Sequence, residues 1–280
     1  MDIRPIGVFD SGLGGLTAVK ELLSILPQED IVYFGDTGRV PYGSRGNEVI
    51  TRYAGQDVSF LLGQQVKAVL CACGTVSSVA GGMLAEHSPV PFFEVVSPTA
   101  AAACAATKNE RIGVIATKAT IASGMFTQKI NSLLPTAQVF ARACPLFVPL
   151  AEEGHIAIDD PITTPAVELY LNQLKKNNID TLILGCTHYP ILAPIIGNFF
   201  DGKVTLIDSG REAARALKLR LETDGLLTDA TTPGSLRYYV SDSTQSFAQV
   251  AEIFLGTPVR QDVEKIDIAA LEALPIPQQL

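Results

Sequence analysis

The chain has 280 residues, 47% of them apolar, and a net charge of −8. That length and apolar share suffice for one large α/β domain or two smaller ones with a sizeable core. The acidic balance argues against a nucleic-acid partner, which selects for a basic face, and leaves small anionic ligands open, because loops and helix ends decide those.

No apolar run approaches the ~20 residues that span a bilayer, so no membrane partner is expected. The start, Met1-Asp2-Ile3-Arg4-Pro5, lacks a basic segment followed by a long apolar run, which predicts a cytoplasmic protein. Its five cysteines are an odd number at irregular spacing, so they are expected to be reduced rather than paired.

In chain order, short apolar runs predict strands at 6–9, 31–34, 68–72 and 92–96. A second set follows at 112–116, 138–141, 181–185 and 204–207. Helical spacing is clearest at 47–65, where Ile50, Tyr53, Ala54, Val58, Leu61 and Leu62 share a face, and recurs at 165–176 and 212–222. Beyond these, 236–240 reads as a strand and 246–254 as a helix that returns to the first half. The end, 274–280, with Pro275 and Pro277, reads as frayed. The alternation predicts an α/β fold with mainly parallel sheets. Two sets of four strands look like an internal repeat, which divides the chain into two domains. The first would comprise 1–97 and 208–280, the second 98–207.

In each set a cysteine follows the third strand: Cys73 in Ala72-Cys73-Gly74-Thr75, Cys186 in Gly185-Cys186-Thr187-His188. Ligands of open α/β sheets sit outside the carboxyl ends of the strands. Four segments converge there: 10–15, 36–43, 73–75 and 186–188. Thr75, Ser77, Ser78 and Thr187 are candidate helix caps, Pro190 suits a first turn, and a helix N-terminus lowers a thiol's pKa. Two thiols on opposite faces of one carbon can exchange the roles of base and acid, which is what a racemase without a cofactor needs. His188, two residues from Cys186, can polarise it. Asp10, beside a glycine-rich loop, can orient Cys73 or accept from a substrate ammonium. A zinc site from Cys71, Cys73, Cys186 and His188 lacks the usual spaced ligand pairs, so no metal is expected. Gly12-x-Gly14-Gly15 is not a full dinucleotide fingerprint.

Taken together, Asp10-Ser11-Gly12-Leu13-Gly14-Gly15, Pro41-Tyr42-Gly43, Ala72-Cys73-x-Thr75, Cys144-Pro145-Leu146 with Val148-Pro149-Leu150-Ala151-Glu152, and Gly185-Cys186-Thr187-His188-Tyr189-Pro190 resemble the glutamate racemases. These form part of the cofactor-independent aspartate/glutamate racemase superfamily. The resemblance implies two pseudo-symmetric α/β domains with the active site in the cleft between them, and Cys73 and Cys186 as the two acid/base residues, with Asp10, His188 and Glu152 assisting. In that family the first cysteine serves the D-enantiomer and the second the L-enantiomer. Asp10, Ser11, Tyr42, Gly43, Gly74, Thr75, Thr187 and His188 would bind the substrate, glutamate. No cofactor is implied, a homodimer is common, and the D-glutamate would feed peptidoglycan synthesis.

One position departs from the family pattern. Gly74 stands where an Asn usually follows the first cysteine, which removes a side-chain donor from the substrate site. A racemase of aspartate or another amino acid, or a non-catalytic binding relative, is therefore the alternative expectation.

Overall fold

The computed structural model describes residues 1–259 and 263–276. The first half runs β1 (Ile6–Asp10), α1 (Leu16–Ile25), β2 (Ile31–Gly35), α2 (Asn47–Gly63), β3 (Ala68–Cys71), α3 (Gly74–His87) and β4 (Phe92–Glu94). The second runs α4 (Val96–Ala106), β5 (Arg111–Ala116), α5 (Lys118–Ser123), α6 (Met125–Leu133), β6 (Gln138–Ala143), α7 (Phe147–Glu152), α8 (Thr163–Lys176), β7 (Thr181–Leu184), α9 (Ala193–Phe199) and β8 (Thr205–Asp208). After these come α10 (Ser209–Thr223), β9 (Leu236–Val240), α11 (Thr244–Leu255), β10 (Val263–Lys265) and α12 (Ile268–Glu272).

Two sheets result, ordered β10-β9-β2-β1-β3-β4 and β6-β5-β7-β8. The first four strands of each half take the same order, second-first-third-fourth, so the repeat expected from the two strand sets is present in the topology. Every pairing among the described strands is parallel. That agrees with β1, β2, β3 and β7 being wholly buried, since parallel sheets carry helices on both faces. The tail returns to the first half as expected, with β9 pairing alongside β2.

Boundaries differ from expectation where side chains intervene. The apolar run 92–96 is not one strand. β4 stops at Glu94, whose carboxylate accepts from the amides of Val96 and Ser97 and so starts α4. Those are first-turn donors that lack partners within the helix. The expected fraying of 274–280 does not hold where the structure describes it. Leu274 packs against the first sheet's core and the Pro275 carbonyl accepts from Ser59 Oγ. Residues 277–280 lie outside the described residues.

Candidate active site

The carboxyl ends of both sheets face one cavity of about 540 Å³. The first half lines it with Ser11–Leu13, Thr37, Val40–Ser44 and Cys73–Thr75. The second contributes Thr117, Lys118, Pro145, Val148, Pro149, Glu152 and Cys186–His188. The four expected segments therefore meet, and both thiols reach the same space. Asp10 lies just behind the wall, 1% exposed, and Asp36 turns away into a buried cluster.

Each thiol has its own partner set. Cys73 is the N-cap of α3, and its Sγ donates to Ser11 Oγ at 3.5 Å. Cys186 Sγ lies 3.8 Å from His188 Nδ1, and His188 Nε2 lies 2.8 Å from Glu152 Oε1. Glu152 sits at the rim with 37% of its side chain exposed, while His188 is buried. Phe254 packs edge-on against the imidazole and helps fix its plane.

The electrostatics of the two sides are opposite. Burial first, then the Asp10 carboxylate, pushes Cys73 up to about 12; donors from Ser11 and Val76 only partly offset this. The helix-end lowering expected for Cys73 is thus overturned, because desolvation of a buried thiolate outweighs a half-charge at a helix terminus. Burial opposes a charge on His188, yet its bonds to Cys186 and Glu152 together push it up to about 10. At neutral pH the first cysteine is a thiol beside Asp10, and the second faces an imidazolium.

His188 has a measurable signature. Its folded value, about 10, exceeds the ordinary 6.5. Its contribution to stability is full below pH 6.5 and is lost as pH rises through about 10. Thermal melts of His188→Gln against pH are expected to show a shallower alkaline decline than wild type over that window.

Asp10 is held at a cost. Its Oδ2 accepts from Gly12 N at 3.1 Å, while its buried Oδ1 has no partner among the described residues. Burial raises its pKa, against the pull of His188 and the Gly15 and Gly12 amides. A raised carboxyl loses its stabilising effect as pH rises through that value. Asp10→Asn is therefore expected to raise Tm at pH 7–8 while lowering kcat/KM by about 10²-fold, the scale of an acid–base assistant. Parallel melts and rate assays on one preparation check both directions of change.

Several expected caps are not caps. Ser78 Oγ donates back to the Gly74 carbonyl, and Ser77 Oγ donates to the Cys71 carbonyl and to nothing at the helix start. Thr75 Oγ1 instead bonds Thr117 Oγ1 at 2.9 Å, across the two halves. Thr187 Oγ1 sits 3.3 Å from His188 Nδ1, and the helix end after Cys186 is a short 3₁₀ turn with Pro190 in its first turn, as expected. Tyr42 is placed by its backbone, its hydroxyl being tied to Asp36 and Asp57. Among the described residues no three His, Cys, Asp or Glu side chains form a metal cluster. Thr117 and Lys118 were not anticipated. The signal was available, because Thr117 follows β5 as Ser11 follows β1, its counterpart in the other sheet.

A model of the Asp/Glu/hydantoin racemase family matches residues 26–217, about two thirds of the chain. The chain belongs to that family. The glutamate racemase of Geobacter metallireducens is 42% identical over 270 residues, 96% of this chain and 99% of that protein. The glutamate racemase of Chlorobaculum tepidum is 44% identical over 263 residues, 94% and 96% of the two chains. Among solved structures, the glutamate racemase of Francisella tularensis in complex with D-glutamate superposes with a TM-score of 0.89 at 39% identity. It covers 96% of this chain and 100% of its own. The racemase family explains why two sheets of like order face each other across one cavity. A carbon to be inverted must be reached from both sides.

Proposed function

We propose that this protein is a glutamate racemase that moves the α-proton between two cysteines without a cofactor. The observation that carries the reading is the pair of thiols at corresponding strand ends, lining one cavity, each with its own polar partner. Relatives and structures named as glutamate racemases over nearly the whole chain support glutamate as the substrate.

In the direction from L to D, Cys186 takes the α-proton and Cys73, a thiol at neutral pH, supplies one from the opposite face. His188, as imidazolium, donates to Cys186 Sγ and stabilises the negative sulfur that starts this direction. Glu152 holds the other nitrogen of the ring. In the reverse direction Cys73 must first ionise. Asp10 is placed to orient that thiol and to take up its proton. Charge developing on the substrate carboxylate is met by amides at the start of α3, by Ser11, Tyr42, Gly43 and Gly74 of the first half, and by Thr75, Thr187 and His188 around it. Thr117 and Lys118 complete the wall.

Residues 1–97 with 208–280 form one domain and 98–207 the other. The protein works in the cytoplasm, where its free thiols stay reduced, and supplies D-glutamate for peptidoglycan. It assembles as a homodimer. Exposed Leu146, Ile162 and Leu169 line a second pocket that shares Pro149 with the cavity and offer an apolar face for that contact.

The test is proton NMR with circular dichroism on L-glutamate in D₂O, with no added cofactor. Loss of the α-proton signal together with decay of the dichroism to zero is the expected result. A much higher kcat/KM for aspartate would move the assignment to that substrate, and no exchange from either amino acid would sink it.

A further inference from the structure

The two thiol-bearing segments touch through main chain alone. A Cβ built on Gly74 would lie 2.3 Å from the Gly185 carbonyl oxygen and 3.3 Å from its carbon. Both atoms are backbone, so no rotamer relieves the overlap. Neither glycine has a positive φ, so their torsions do not demand glycine; the contact does. Gly74 directly follows Cys73, and Gly185 directly precedes Cys186. The contact therefore joins the two peptide segments whose side chains must face the same substrate carbon. Gly14 also approaches the second half closely, but against side chains: a Cβ there would fall 2.2 Å from Thr187 Oγ1.

We propose that Gly74 is a positioning residue: by lacking a side chain it seats the Gly185 carbonyl against the start of α3 and sets the spacing of Cys73 and Cys186 across the substrate. The inference rests on the two-thiol reading above. Ordinary contact for a methyl begins at 3.4 Å, so the 2.3 Å approach would have to open by about 1 Å. That opening moves Cys186 away from Cys73. A misplacement of about 1 Å between reacting groups costs about 10²-fold in rate. The departure from the family's Asn at this position is then a change in how closely the halves meet.

The experiment compares Gly74→Ala and Gly74→Asn with Gly82→Ala. Gly82 lies in the same helix, is exposed, and has no atom within 4 Å of its built Cβ. Initial rates from both enantiomers give kcat and KM, and mass spectrometry follows the rate at which iodoacetamide alkylates Cys186. Gly74→Ala is expected to lose about 10²-fold in kcat with a smaller change in KM, and Gly74→Asn to lose at least as much. Cys186 should be alkylated several-fold faster in both, and Gly82→Ala should match wild type throughout. Wild-type kcat and alkylation rate in Gly74→Ala would overturn the proposal. So would failure of both Gly74 variants to fold, since a positioning role leaves the fold intact. A wild-type enzyme inactive on glutamate and aspartate would sink the two-thiol reading, while the alkylation comparison would still decide whether Gly74 sets the contact.

Discussion

Replacing either Cys73 or Cys186 by Ala is expected to lower racemisation by about 10⁴-fold, the upper range for removal of a general acid or base. In the proposed two-thiol mechanism each direction needs one sulfur as base and the other as acid, so neither thiol can substitute for its partner. The equilibrium constant between enantiomers is unity, so kcat/KM must fall equally in both directions whichever thiol is lost. The asymmetry between the sites appears elsewhere. With Cys73 absent, Cys186 can still remove a proton from L-glutamate and return a deuteron to the same face. Slow washout from L-glutamate without inversion is therefore the expected signature of Cys73→Ala, and washout from D-glutamate that of Cys186→Ala. NMR in D₂O on each pure enantiomer reads this. Racemisation at the wild-type rate in either variant would rule the mechanism out.

Arg39→Met is expected to destabilise the fold by about 3–5 kcal/mol, the cost of leaving a buried charge unpaired. Arg39 is 5% exposed, and it donates to Asp36 Oδ2 at 2.7 Å and to Asp57 Oδ1 at 2.9 Å, with both carboxylates fully buried. Tyr42 Oη contacts both Asp36 and Asp57. A phenol has a single proton, so a protonated Asp57 must supply the second bond. This agrees with burial, and next the Asp36 charge, pushing Asp57 well above the usual carboxylate range. Removing the guanidinium leaves Asp36 without its cation. Ser241 from the tail also donates to Asp36, so the cluster ties the 36–44 loop to the returning strand β9. That loop carries Tyr42 and Gly43 into the cavity. The variant should therefore show raised KM as well as lowered Tm. Chemical denaturation with steady-state kinetics on the surviving folded fraction measures both, and unchanged stability would refute the account.

The central strands were legible because the chain buries them on both faces. Runs such as Ile6–Asp10 and Thr181–Leu184 need no tertiary information to be recognised. The thiol pair was legible for a related reason. The third strand of each half ends in the same way, and strand ends are where an α/β fold exposes backbone and polar side chains. The helical boundary at Glu94 was not, because it depends on where one carboxylate turns.

Charge states belong to tertiary structure more than positions do. Sequence spacing placed Cys73 at a helix start, where a lowered pKa was expected. Only the folded chain shows that thiol to be buried and beside Asp10, which reverses the shift. Likewise, His188 as a neighbour of Cys186 is visible in Cys186-Thr187-His188, whereas its charge depends on Glu152, which reaches it from 36 residues away. The substitution at Gly74 read from sequence as a lost donor; in the fold it is also the point where two backbones meet. By itself, the sequence determined the central strands, the repeat and the two sulfurs, since these follow from local pattern, while the short edge strand β10 escaped it. The tertiary structure alone decided which groups carry charge and how closely the halves approach, since desolvation and contact exist only when distant segments are packed together.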